Sequence, residues 1–200
     1  LASTAEKGTH TLGPIIHNPQ LVNSLSARGV SPVDSLQDVA DGSKVLIRSH
    51  GVGPHVYEEA EAKHLDVVYA TCPHVKKAQQ DARKFINDKK ALIIVGEKDH
   101  PEVISISQWG CNRAIIIDKV EEAKEIPYCE HMGVVVQTTF SQSRFKQIES
   151  VLAEKTDDLD VYMTICTATR QRQEAAVELA KKVDAMIVIG GKNSADTGRL

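Results

Sequence analysis

Cys72 and Cys166 offer the most chemistry in this chain because they are placed alike. Each stands 24 residues before a glycine, Gly96 or Gly190, that closes an apolar stretch. Four positions past that glycine comes His100 in one copy and Ser194 in the other. Cys72-Pro-His leads to Ala91-Leu-Ile-Ile-Val-Gly96, and Cys166-Thr-Ala leads to Ala185-Met-Ile-Val-Ile-Gly190. Self-similarity at a fixed spacing marks a repeated structural unit. Gly13, with His17 four residues on, belongs to a third copy; the same count back from Gly13 places its cysteine about a dozen residues upstream of Leu1. Three converging thiolates in a reducing compartment suit zinc or an iron–sulfur cluster. On a four-iron cluster, three ligands leave one iron open to substrate. Zinc on three thiolates usually takes a close-spaced pair such as C-x-x-C, which is absent here.

A second set of residues repeats with the cysteines. Val45-Leu-Ile-Arg-Ser49-His50 answers Val134-Val-Val-Gln-Thr138-Thr139. His17, His50 and Ser194 supply donors at helix N-termini, a setting that favours phosphate or diphosphate. Glu102 follows His100 by two residues, inside a helix opened by Pro101, and is the one carboxylate expected in that cluster. General acid is its natural role. A single cysteine at a strand–helix junction is more often a small buried residue than a ligand; equivalent placement in two repeats reverses that reading. His50 alone could be a loop cap, but its counterparts Thr138 and Thr139 favour a shared ligand role. Cys111 and Cys129 have no counterpart and read as structural. His10, His55, His64, His74 and His131 read as surface or capping residues. Lys76-Lys77 and Arg170 to Arg172 read as solvated helix faces. Gly51-Val-Gly53-Pro54 lacks the third glycine of a dinucleotide fingerprint, and Gly191-Lys192-Asn193-Ser194 lacks the earlier glycine of a phosphate loop.

The elements that must position these groups alternate. Strands are expected at Val45–Arg48, Val67–Ala70, Ala91–Val95, Ala114–Ile117, Val134–Gln137, Val161–Ile165 and Ala185–Ile189. Helices are expected at Pro19–Ala27, Pro54–His64, Pro73–Asn87, Pro101–Gln108, Ser141–Lys155 and Arg170–Lys182. Four of these open with proline, whose missing N–H costs nothing at the first helical position. Asn18 is a good N-cap and Gly29 a good stop. Strands alternating with helices make an α/β protein with largely parallel strands. The repeat divides it into three lobes, 1–70, 71–165 and 166–200, of which the first lacks its start and the last its end. Packed about a pseudo-threefold axis, small mostly parallel sheets flanked by helices would place every marked residue around a central ligand site, at the carboxyl ends of strands. The 200 residues begin at Leu1 without a methionine, as expected of an internal piece of a longer protein. Net charge −3 and a pI near 6.3 give no general attraction to nucleic acid. No apolar run is long enough to span a membrane. Four cysteines in 200 residues do not form a secreted disulfide framework.

Gly13-Pro-Ile-Ile-His17-Asn-Pro, Ser49-His50-Gly-Val, Ala70-Thr-Cys72-Pro, His100-Pro-Glu102-Val, Gln137-Thr138-Thr139, Ile165-Cys166 with Arg172-Gln-Glu, and Gly190-Gly-Lys-Asn-Ser194 together resemble the 4-hydroxy-3-methylbut-2-enyl diphosphate reductase (LytB) family. The resemblance runs over essentially the whole chain. It implies a three-lobed α/β protein whose three cysteines hold a 4Fe–4S cluster. It also implies removal of an allylic hydroxyl with two electrons and two protons, giving isopentenyl and dimethylallyl diphosphate. By position, Cys72 and Cys166 resemble two cluster ligands. His17, His50, His100, Thr139, Ser194 and Asp196 fall where the family binds substrate. Glu102 resembles the proton donor, and Thr138 the residue that positions it and the substrate hydroxyl. Asp196 departs from the family's Ser-Ser-Asn, since an aspartate facing a diphosphate repels it unless it points away or is bridged. The implied partners are the diphosphate substrate and a ferredoxin or flavodoxin-type electron donor, with no nucleic acid or membrane. The implied compartment is the bacterial cytoplasm, or a plastid in a plant or alga. A quinolinate-synthase-like pseudo-threefold 4Fe–4S dehydratase, and a non-catalytic metal- or phosphate-binding module, are the rival readings.

Overall fold

The structure is a computed structural model and describes residues 5–16, 18–191 and 194–199. His17, Lys192 and Asn193 lie outside the described residues. The chain divides into two compact units, Leu1–Pro73 and His74–Leu200.

The first unit contains β1 (His10–Leu12), α1 (Pro19–Ala27), β2 (Ser31–Val33), a 3-10 turn at Leu36–Asp38, β3 (Lys44–Ile47), α2 (Pro54–Ala62) and β4 (Asp66–Tyr69). Its sheet order is β2-β1-β3-β4, with every pair parallel. Parallel neighbours require crossover connections, so the strands bury both faces. Successive side chains of β3 show this. Val45 packs with Leu36, Val39 and Ala60 on one face, and Leu46 with Ile15, Leu25 and Val30 on the other. Asn18 starts α1 by accepting the Leu21 N–H at 3.0 Å, and Gly29 ends it at φ +84°, both as the sequence leads one to expect.

The second unit takes up α3 (Pro73–Asn87) from His74 onward. It continues with β5 (Ala91–Val95), α4 (Pro101–Trp109), β6 (Ile115–Ile117), α5 (Val120–Lys124), β7 (Cys129–Val136), α6 (Gln142–Ala153), β8 (Thr156–Tyr162), α7 (Thr167–Ala180) and α8 (Ala195–Gly198). Sheet order is β6-β5-β7-β8, again all parallel. One face carries Ile93, Val95, Val134 and Val136 against Phe140, Phe145, Ile148 and Leu152. The other carries Leu92, Ile94 and Val135 against Ala78, Ala82, Phe85, Val103 and Ile106. Each large apolar side chain removed from water contributes about 1.5–3 kcal/mol, so these two layers, more than helix propensity, hold α3, α4 and α6 on the sheet.

The two sheets share one plan, shifted by four strands. Leu12 pairs with Ile47 and Val95 with Val136. The next residue is a glycine in both cases. The Gly13 N–H donates to the Val33 carbonyl and the Gly96 N–H to the Ile117 carbonyl, each at 2.8 Å. A Cβ on Gly13 would stand 2.6 Å from Arg48 Nη1, and one on Gly96 2.8 Å from the Gln137 Cβ. The two glycines answer different demands: Gly13 adopts φ +69°, while at Gly96 the Val103 Cγ2 and the Gln137 Cβ leave a side chain no room.

Several elements differ from expectation. β1 and β2, three residues each, carry no apolar run long enough to announce themselves; His10 is a half-buried strand residue of β1. β7 and β8 begin earlier than Val134 and Val161. The polar start of β8 is held by Lys90, which donates to Asp158 and Asp160 at 2.6 Å each. α5 was not foreseen. Ala185–Ile189 is not a strand: no described strand lies beside it to complete its ladder, and Ile187 and Ile189 are 85% and 91% exposed. Residues 166–200 thus contribute α7 and α8 and no strand among the described residues.

Candidate active site

In a sheet of this order the chain leaves β5 toward β6 on one side and returns to β7 on the other. The crevice beyond the carboxyl ends of β5 and β7 is the place where such sheets bind ligands. Glu102 and Thr138 meet there. Pro101 opens α4, which sets Glu102 in the first turn, 2% exposed. Thr138, two residues past β7, donates its backbone N–H to Glu102 Oε1 at 2.6 Å and its hydroxyl to Oε2 at 2.8 Å. Burial pushes the Glu102 carboxyl up to about 7, against the two Thr138 hydrogen bonds and the Arg199 charge that pull it down; Asp196 adds to the rise. A carboxyl that titrates near neutrality can carry a proton and give it up.

His100 is the N-cap of α4. Its Nδ1 accepts the Glu102 N–H at 3.2 Å. The ring is 8% exposed. Thr139 accepts from Gln137 Nε2 at 2.9 Å and from Arg199 Nη1 at 3.3 Å. Cys166 caps α7 with its backbone, its N–H donating to the Thr138 carbonyl at 2.8 Å, while its thiol makes no capping bond and no disulfide. Ser194 caps α8 by accepting the Thr197 N–H at 3.3 Å. Asp196 accepts from Thr169 Oγ1 and from Arg172 Nη1, each at 3.1 Å, so a cation bridges the charge that departs from the family pattern.

The first unit repeats part of this arrangement. The Cys72 N–H donates to the Ser49 carbonyl at 3.0 Å, as Cys166 does to Thr138, and Cys72 is likewise a free, half-buried thiol. Ser49 Oγ donates to the Ile15 carbonyl at 3.1 Å. His50 sits half-buried on the turn after β3. Burial pulls the Arg48 guanidinium below the usual arginine range.

One reading of the sequence changes here, and two exposed helix-face residues gain a partner. Glu102 is not the only carboxylate of its cluster, because Glu97 and Asp196 stand in the same network. Arg172 is no merely solvated residue, since it pairs with Asp196. Lys77 pairs with Asp81 and lies 4.9 Å from the Tyr162 ring centre. Arg199, Glu97 and Gln137 join the site without having been given roles. The only sequence signal for any of them was the place of Gln137 beside Thr138-Thr139.

As donors, two unpaired thiols at equivalent strand ends fit an iron–sulfur group. Among the described residues no group of three or more His, Cys, Asp or Glu is gathered to hold a metal ion.

The LytB protein family matches residues 1–200. The 4-hydroxy-3-methylbut-2-enyl diphosphate reductase of Thermoanaerobacter sp. is 43% identical over 196 residues, covering 97% of this chain and 68% of its own length. That of Pelobacter propionicus is 43% identical over 199 residues, covering 100% of this chain and 71% of its own. The solved E-1-hydroxy-2-methyl-but-2-enyl-4-diphosphate reductase of Plasmodium falciparum superposes with a TM-score of 0.93 at 26% identity, over 99% of this chain and 64% of that one. A solved (E)-4-hydroxy-3-methyl-but-2-enyl diphosphate reductase, described as the terminal enzyme of the non-mevalonate pathway, gives 0.75 at 39% identity, over 98% and 71%. The chain spans about two-thirds of the length of these relatives. It belongs to the LytB family.

Proposed function

We propose that the protein is a 4-hydroxy-3-methylbut-2-enyl diphosphate reductase, with Glu102 as proton donor and Thr138 as the residue that positions it. The single observation that carries this reading is the buried carboxyl of Glu102, near neutral in its titration and held by both donors of Thr138 at the mouth of the β5–β7 crevice. The reaction replaces a C–O bond by a C–H bond. The substrate takes up two electrons and two protons, water leaves, and isopentenyl or dimethylallyl diphosphate remains. A 4Fe–4S cluster, held in part by Cys72 and Cys166, would supply Lewis acidity and electrons when bound.

The chain's own residues do the rest. With Glu102 protonated, its proton is shared with Thr138 Oγ1, and the Thr138 hydroxyl is then free to turn its own proton toward the departing oxygen. A proton can so pass outward while the buried carboxyl stays dry. The Thr139 hydroxyl offers a donor to the diphosphate, with His17, His50, His100 and Ser194 assigned to the same anion from their repeat positions. The Arg172 pairing leaves Asp196 with little net repulsion toward that anion.

The same reading assigns the lobes 1–70, 71–165 and 166–200, on the support of two sheets of identical order and a third cysteine-headed segment. It implies a ferredoxin or flavodoxin-type electron donor and a home in the bacterial cytoplasm or a plastid. No helix among the described residues is long and apolar enough to cross a membrane. The test is an anaerobic assay of the full-length protein with a chemical reductant and the hydroxylated diphosphate. The expected products are the two dehydroxylated diphosphates; binding of the diphosphate without reduction contradicts the reading.

A further inference from the structure

Four residues close a ring at the carboxyl ends of β5 and β7. Glu97 Oε1 accepts from Arg199 Nη2 at 2.5 Å, and Arg199 Nη1 donates to Thr139 Oγ1 at 3.3 Å. Gln137 Nε2 donates to the same Thr139 oxygen at 2.9 Å, while Gln137 Oε1 accepts the Glu97 backbone N–H at 3.0 Å. That backbone donor fixes which end of the Gln137 amide faces Thr139. The Arg199 side chain is 9% exposed, and its guanidinium lies 4.7 Å from the Phe140 ring centre. Packing and pairing together leave the guanidinium a single pose.

A threonine hydroxyl has two lone pairs and one proton. Here both lone pairs are engaged by N–H donors, so the one capacity left to Thr139 is to donate. We propose that Arg199 is a positioning residue that, with Gln137, fixes Thr139 as a donor to an acceptor-only anion, namely the diphosphate end of the substrate. This rests on the function proposed above and deepens it: the ring selects for an accepting oxygen, such as a diphosphate's, against donor-only groups such as an ammonium at that place. A lysine cannot replace the arginine, because one ammonium nitrogen does not reproduce a fork held on Glu97 and Thr139 at once.

The test uses the full-length, reduced protein and four variants: R199M, R199K, T139V and the double variant R199M/T139V. Steady-state rates are read alongside competitive inhibition by inorganic pyrophosphate. R199M is expected to raise KM and the pyrophosphate inhibition constant about tenfold, the scale of a lost charge-assisted hydrogen bond, with a smaller change in kcat. R199K is expected to resemble R199M, and the double variant to bind no worse than T139V. Wild-type KM in R199M or R199K overturns the proposal, as does an undiminished Arg199 effect in the T139V background. Thermal unfolding checks each fold, and R199K carries the test if R199M does not fold. If the wild type neither reduces the substrate nor is inhibited by pyrophosphate, the functional reading falls and takes this role with it. If the wild type does both and the Arg199 variants match it, only the Arg199 role falls.

Discussion

Glu102 spends both carboxylate oxygens on one residue, Thr138, in a place where water cannot help to solvate its charge. The consequence reaches stability as well as catalysis. A carboxyl near 4.5 when unfolded and about 7 when folded binds its proton more tightly in the native state. Its contribution is therefore fully present below about pH 4.5 and is lost as pH rises through 7, a decline of about 3 kcal/mol for a shift of this size. Chemical unfolding of the wild type and of E102Q from pH 4.5 to 8 is expected to show this decline only in the wild type. Parallel curves would mean that Glu102 is ionised throughout. Residue type marked Glu102 and repeat position marked Thr138, and the family resemblance joined the two as a pair. Arg199, Glu97 and Arg172 were not legible. Their partners lie 24 or more residues away in sequence, and no spacing rule connects Arg199 to a glutamate past β5.

At the scale of elements, the correspondence of Val45–His50 with Val134–Thr139 reappears as two sheets of one order, with a glycine at the same place beside Arg48 or Gln137, whereas the copy begun by Cys166 adds no described strand. Proline-opened helices were placed well because proline and its cap act locally. α1 and α3 have the expected bounds. Ala185–Ile189 was misplaced because an apolar run states a wish for burial and not the neighbour that grants it. Gly133 shows the opposite case, a residue whose reason lies wholly in packing. The Phe85 ring, stacked 4.9 Å from Tyr162, occupies the space into which a Cβ on Gly133 would project. G133A is expected to destabilise the second unit by about 1–3 kcal/mol, as overpacking of a filled core does. F85L in the same background should recover part of the loss. Thermal or denaturant unfolding reads both, and a neutral G133A would show that the ring moves aside freely.

For the whole molecule, each unit presents one unpaired thiol after the last strand of its sheet, its N–H tied to the residue beyond the third strand. If these thiols serve one iron–sulfur group, C72S and C166S in full-length protein purified without oxygen should each lose most of the bound iron and the absorbance near ~400 nm. C111S is the control that should keep both, because Cys111 sits exposed in a turn with Arg83 donating to its sulfur at 3.3 Å. Iron retained in C72S and C166S would remove these residues from the donor set. The account turns most on Glu102 as the source of the proton, and the pH dependence of kcat under excess reductant tests it most directly. The wild type is expected to lose turnover as pH rises through about 7, where the donor form disappears. E102Q is expected to be slower by about 10²–10⁴-fold and to show no such limb. Near wild-type turnover in E102Q, or the same alkaline limb surviving in it, would contradict the account.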